Sequence, residues 1–314
     1  MGLNGACFVP LAPARAVLAA AGFAACLAGA DAIAQTGAGV SAPPVRETAT
    51  RSAAQSGWVR SHESSARLIA GAMPGGSDGR SRMYAGVELR LSEGWKTYWR
   101  HPGDDGGLPP TFDWSGSRNL KAATVSYPAP KRLEAKTGTS IGYEGGVVFP
   151  VSIEAVDPAR PVELVLRLEY GICREICVPA EVGLQLAIPS GMSLMPGALA
   201  ASLAAVPRQR EKSAAVAAGL PALVKASAVL KGPGPALMFD IAAGAGGAQP
   251  DLFIEVAGGM HLPMAKRIDG PAGGVHRFRI DLKGVDEIGG LPGRSLILTM
   301  TGGGGGTEAV WTVP

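Results

Sequence analysis

Residues 162–188 read VELVLRLEYGICREICVPAEVGLQLAI. Val162, Leu164, Leu166, Leu168 and Tyr170 alternate with Glu163, Val165, Arg167 and Glu169. A period of two marks a half-buried strand. Val182, Leu184, Leu186 and Ile188 alternate with Gly183, Gln185 and Ala187 in the same way. An antiparallel hairpin turning at Arg174-Glu175-Ile176 sets Val162 against Ile188, Leu164 against Leu186, Leu166 against Leu184, Leu168 against Val182 and Ile172 against Val178. Each apolar residue then meets an apolar partner on its own face, so turn and pattern agree on one register. The same register puts Cys173 directly across from Cys177, on the face opposite the leucines. Cross-strand Cα separations of about 4.5–5.5 Å lie within disulfide reach. A ring of so few residues contributes little through chain entropy. A bond of that kind at a hairpin tip, away from the main core, suits redox exchange. A plain hairpin staple fits the spacing equally well. A helix carrying both cysteines at i and i+4 is disfavoured by Pro179 and by the long alternation before Cys173.

Other strand patterns extend outward from this hairpin. Met83, Ala85, Val87, Leu89 and Leu91 alternate with polar or small neighbours from Ser81 onward. Val147 to Ile153 is a further run, and Pro150 inside it points to an edge strand or a bulge. Leu199, Leu203 and Val206 switch to i, i+4, i+7 spacing, which predicts a short helix ended by Pro207. Arg208-Gln209-Arg210-Glu211-Lys212 reads as a solvated linker. Strand-like runs follow at Leu223–Leu230, Leu237–Ile241, Leu252–Val256, Arg277–Leu282 and Leu296–Met300, with a last one at Val310–Val313. Short strands with Gly/Pro turns predict an all-β fold of two β-sandwich domains joined by a short helical linker.

Composition agrees. Of 314 residues, 46% are hydrophobic, and 45 Gly with 25 Pro exclude a helical bundle. The net charge is +3 with no long run of Lys or Arg, so no nucleic-acid partner is expected. At the N-terminus, Arg15 precedes an apolar, Ala-rich stretch, and Ala32-Ile33-Ala34 fits the A-x-A rule. Residues 1–34 read as a secretory signal peptide and 35–57 as a disordered leader. Lipid attachment at Cys26 is disfavoured by Phe23 at the start of its box. Cleavage after Ala34 leaves Cys173 and Cys177 as the only cysteines, in an oxidising compartment.

Three segments together carry a family resemblance. Gly94-Trp95-Lys96-Thr97-Tyr98-Trp99-Arg100-His101-Pro102-Gly103-Asp104-Asp105-Gly106 resembles the G-W-x-T-Y-W-x-N-P-G-D-x-G signature of the DsbD N-terminal domain family. Gly142-Tyr143-Glu144-Gly145 is similar to its G-Y-E-G segment. Tyr170 to Pro179 resembles its W-x-x-C-x-x-x-C-x-P segment. The blocks fall in family order across roughly Trp58 to Pro189, and ScsB-type periplasmic segments are the nearest type. His101 stands where the family usually has Asn, and Tyr170 where it has Trp.

The resemblance implies immunoglobulin-like β-sandwiches in the periplasm. The expected layout is a first domain at 58–190, helix and linker at 191–221 and a second domain at 222–314. It also gives Cys173 and Cys177 the redox role, with a membrane-embedded thiol reductase and periplasmic thioredoxin-like or disulfide-isomerase proteins as partners. Aromatic residues of the first block are candidates to shield the pair. No later segment is apolar for eighteen residues and no C-x-x-C occurs, so the reductase is expected on a separate chain. No cofactor and no metal is expected. The alternatives are a binding or assembly module with a structural disulfide, and a copper-handling protein. For copper, Met260-His261-Leu262-Pro263-Met264 offers soft ligands. A zinc site is poorly supported, because no His lies within ten residues of the cysteines.

Overall fold

Strands Val162–Cys173 and Cys177–Ile188 pair antiparallel from Val162 opposite Ile188 to Cys173 opposite Cys177. This is the register that the turn and the apolar stripe dictate. The computed structural model describes residues 54–74, 81–135, 138–245, 249–271, 273–286, 288–303 and 305–314. The expected signal peptide and most of the expected leader lie outside the described residues.

The hairpin belongs to a first pair of sheets. Their strands are β1 (Val59–Ser61), β2 (Ser64–Met73), β3 (Arg82–Leu91), β4 (Lys96–Tyr98), β5 (Thr111–Asp113), β6 (Leu120–Val125), β7 (Lys131–Ala135), β8 (Gly138–Glu144), β9 (Gly146–Ala155), β10 (Val162–Cys173) and β11 (Cys177–Ile188). One sheet has the order β1-β2-β3-β9-β6 and the other β11-β10-β4-β8-β7, with β5 also paired to β10. Leu68, Val87 and Phe149 of the first sheet share a core cluster with Leu164, Leu166, Leu168 and Ile172 of the second. Burying each such side chain contributes about 1.5–3 kcal/mol.

A second set follows: α1 (Gly197–Ala205), β12 (Arg208–Gln209), α2 (Lys212–Ala217), β13 (Ala222–Val229), β14 (Ala236–Ala242), β15 (Asp251–Val256), β16 (Lys266–Ile268), β17 (Val275–Asp281), β18 (Ser295–Gly302) and β19 (Gly305–Thr312). The sheets β12-β19-β18-β15 and β13-β14-β17-β16 enclose a separate core that includes Leu237, Phe239, Phe278, Leu252, Leu296 and Leu298.

Several expectations need correction. Pro150 is neither on an edge strand nor at a bulge: β9 lies between β3 and β6, it pairs with β3 without a shift, and the one register shift against β6 falls between Leu120 and Ala122, away from Pro150. β6 ends at Val125, and the Ser126 N–H still donates to the Pro150 carbonyl at 2.7 Å. The missing N–H of Pro150 therefore costs only the last bond of that ladder. Strand β2, which the sequence reading did not single out, departs from period-two burial because Ile69 to Ala72 are all buried. Helix α1 covers this region. The Leu194 carbonyl accepts from the Ala72 N–H at 2.8 Å, Leu199 is fully buried, and Gly71 leaves the room that Met195, Pro196 and Leu199 occupy. The leader is ordered at its end, where Ala54–Gly57 lies along β2: the Ser56 N–H donates to the Leu68 carbonyl at 2.8 Å and the Ala70 N–H to the Ala54 carbonyl at 2.7 Å. The solvated linker at 208–212 is partly structured, since Arg208 and Gln209 pair in parallel with Thr307 and Glu308. The pairing satisfies backbone groups that would otherwise lie on a sheet edge.

Candidate redox site

The geometry begins with β10. One of its edges pairs along its length with β11, and the other is shared by β4 and β5. β4 meets β10 only at its tip, with Thr97 opposite Ile172 and Lys96 opposite Cys173. The Thr97 hydroxyl donates to the Gly171 carbonyl at 2.8 Å. The block Gly94–Gly106 is thereby fixed against the cysteine hairpin.

Cys173 and Cys177 are joined by a disulfide with Cα atoms 4.1 Å apart, slightly closer than the expected span. The two sulfurs are not equivalent. Cys173 is 7% exposed, while Cys177 is exposed. This corrects the expectation that the pair lies away from the core: one half does, and the other is buried. The burial comes from β4 packing beside it. The face opposite the leucines is solvent-facing along most of the hairpin but buried at Gly171 and Cys173, where β4 and Leu108 lie against β10.

Tyr98 reaches the exposed half of the pair. Its hydroxyl lies 3.0 Å from Cys177 Sγ, and a disulfide sulfur carries no hydrogen, so the hydroxyl donates. Burial, reinforced by the Asp105 charge, raises the Tyr98 pKa and keeps the phenol protonated. Leu108 closes the other side. Its carbonyl accepts from the Gly171 N–H at 2.9 Å, and its side chain is 52% exposed. Gly107 presses on the Tyr98 ring at φ +145°, where a Cβ would collide with the ring. Ile176 in the turn is 75% exposed. A groove of about 600 Å³ opens alongside, lined by Leu108, Pro109, Tyr170 and Pro179. The Tyr170 hydroxyl is satisfied inside the fold by Ser64 Oγ at 2.7 Å, which answers the polar cost of Tyr at this position.

Two charged residues sit near the pair. Lys96 is buried across from Cys173, and its ammonium donates to Ser140 Oγ at 2.9 Å. The Arg174 guanidinium lies over the Trp95 ring at 5.8 Å. Among the described residues no group of three or more His, Cys, Asp and Glu side chains is placed to hold a metal. Met260 and Met264, paired in sequence as soft ligands, pack against different cores, Met264 on the first and Met260 on the second.

The rest of the signature block faces the second pair of sheets. Trp99 is fully buried and its ring stands 5.9 Å from that of Phe253. Arg100 binds Glu255 at 2.7 Å and Glu308 at 2.7 Å. Burial opposes the Arg100 charge, but hydrogen bonds and charges from both glutamates outweigh it and raise its pKa. His101 stacks on His261 with ring centroids 5.8 Å apart. Sequence reading located the block but assigned no partner to Tyr98, Arg100 or His101. Their partners lie at distant positions that no spacing rule connects. Lys96 opposite Cys173 was within reach, since extending the register to a third strand would have found it.

Residues 80–189 match the family model described as thiol:disulfide interchange protein DsbD, N-terminal. The fold is similar to the crystal structure of the N-terminal periplasmic domain of ScsB from Proteus mirabilis. The TM-score is 0.61 and the identity 21%, covering 83% of this chain and 99% of that one. At that identity the likeness is one of fold. A search among curated proteins finds no match. Among the described residues no helix is long and apolar enough to cross a membrane. The segment 80–189, which contains both cysteines and the Tyr98 cover, belongs to the DsbD N-terminal family of thiol:disulfide interchange proteins.

Proposed function

We propose that the chain is a periplasmic thiol–disulfide carrier. It takes two electrons from a membrane-embedded thiol reductase and passes them to thioredoxin-like or disulfide-isomerase proteins. Its four sheets form two immunoglobulin-like sandwich domains, 58–190 and 222–314, with the helical segment 191–221 between them. Cys173 and Cys177 are the reacting residues.

The observation that carries this reading is the asymmetry of the pair, with Cys177 exposed beneath a single phenol and Cys173 buried. A donor thiolate attacks the reachable sulfur, Cys177 Sγ. The Cys173–Cys177 bond breaks, a mixed disulfide forms at Cys177, and Cys173 leaves as a thiolate that takes up a proton. Lys96, directly across from Cys173, favours that thiolate. The donor's second thiolate then attacks the donor sulfur of the mixed disulfide and releases Cys177 as a thiolate. The donor is now oxidised and the pair reduced by two electrons. Running the same steps in reverse reduces an acceptor. Exposed Leu108 and Ile176 beside the groove supply an apolar surface for docking.

Single-cysteine variants test the reading. Cys173→Ser removes the resolving thiol and leaves Cys177 to hold a partner, so non-reducing gels of cell extracts should show high-mass bands that vanish on reduction. Cys177→Ser should show few, and the double variant none. If neither single variant traps a protein, the carrier reading is wrong.

A further inference from the structure

The segment from Tyr98 to Leu108 leaves the cysteine hairpin and returns to it. Tyr98 touches Cys177 at one end, and Leu108 bonds to Gly171 at the other. Part of the segment is held by its own sheets: the Trp99 N–H donates to the Ile141 carbonyl at 3.0 Å, and the Ile141 N–H to the Pro102 carbonyl at 2.7 Å. Between those points, Arg100 and Asp104 are both anchored by residues of the second pair of sheets. Arg100 makes a fork on Glu255, with Nε 3.0 Å from Oε1 and Nη2 2.7 Å from Oε2, and reaches Glu308 at 2.7 Å. The Asp104 carboxylate accepts from the Met264 N–H at 3.0 and 3.1 Å and lies 3.4 Å from His261 Nε2. Bidentate guanidinium pairs fix direction as well as distance. Arg100 is two residues from Tyr98, whose own backbone pairs with Gly142 of β8, so the fork bears on the phenol from the side where β4 ends.

We infer that the second pair of sheets is part of the redox site, with Arg100 and Asp104 as positioning residues that hold Tyr98 over Cys177 through Glu255, Glu308, Met264 and His261. The inference rests on the carrier reading for its biological meaning but not for its chemistry. Whatever the pair does in the cell, the phenol stays on Cys177 Sγ and narrows the approach to it only while the segment is anchored. Residues 222–314 then act as a remote clamp. A partner that contacts them gains a handle on access to the disulfide.

The test measures the rate at which a water-soluble phosphine reduces the disulfide of the full chain, with thermal melting recorded in parallel. Arg100→Lys keeps the charge but loses the fork, and Asp104→Ala removes the second anchor. Each should speed reduction about threefold to tenfold. Tyr98→Ala should speed it at least as much. The diagnostic is the combination: because the anchors act through the phenol, Arg100→Lys should add nothing in a Tyr98→Ala background. Unchanged rates in folded Arg100→Lys and Asp104→Ala would overturn the inference, as would fully multiplicative effects in the double variant. If Arg100→Lys does not fold, Asp104→Ala and His261→Ala carry the same test at the exposed edge of the seam. A protein dithiol such as thioredoxin, used as the reductant on the wild-type chain, separates the two ideas. Failure there with accelerated phosphine rates in the variants sinks the carrier reading and leaves the clamp standing.

Discussion

The hairpin β10–β11 and the hairpin β18–β19 are built alike and end differently. Both are antiparallel pairs in uninterrupted register, twelve pairs in the first and eight in the second. Both bury alternate residues, Leu164, Leu166 and Leu168 in one and Leu296, Leu298 and Met300 in the other. The first closes on Cys173 and Cys177 and is covered by Tyr98. The second closes at Gly302 opposite Gly305. It sends Glu308 from its side to Arg100, next to that cover. A shared scaffold thus serves two ends: one hairpin presents sulfur, and the other steadies what lies over it. The chemistry resides at the tips, while the alternation that builds the strands is common to both.

The largest expected effect comes from making the first tip chemically silent like the second. Cys173→Ala with Cys177→Ala should abolish thiol–disulfide exchange and cost only roughly 0–2 kcal/mol of stability, because the closed ring is small. A double variant that fails to fold would mean that the disulfide is a structural staple. Next comes the seam between the two regions. Trp99→Ala empties a fully buried site against Phe253 and should cost about 3–5 kcal/mol in denaturant melts. A loss under about 1 kcal/mol would show that the seam contributes little to holding the regions together.

Smaller effects refine the picture. Lys96→Met removes the cation across from Cys173 and should slow exchange by about threefold, through a less favourable leaving thiolate. An unchanged rate would remove Lys96 from the mechanism. The smallest effect concerns His101. Burial, with His261 and Arg100 pushing the same way, lowers its pKa against the opposing pull of Glu255 and Asp104. The unfolded chain keeps the ordinary value near 6.5, so as pH falls through that value the unfolded state takes the proton first. Stability should therefore decline as pH drops below about 6.5, and His101→Asn should flatten that part of the curve. Parallel curves for the two proteins would contradict the placement of His101 in the seam.

Much of this was legible in the sequence, for physical reasons that also mark where reading stops. The β10–β11 register was readable because a three-residue turn and a period-two stripe constrain it independently. β2 was not, because Ser64 to Met73 is packed on both faces and its small residues make room for α1 instead of alternating. Pro150 misled because a proline inside a sheet is tolerated where the neighbouring strand ends. The cysteines were found from their spacing and the block Gly94–Gly106 from its motif. The bond from Tyr98 to Cys177 and the fork from Arg100 to Glu255 join positions 79 and 155 residues apart, and only the folded chain brings them together.

The reduction potential of the Cys173–Cys177 disulfide, measured by equilibrating the full chain with glutathione buffers, separates a carrier from a staple most directly. A carrier should equilibrate above about −300 mV, where protein dithiols can both load and unload it. A potential clearly below that value, with no exchange against thioredoxin-like proteins, would mark the bond as a structural staple and contradict the account.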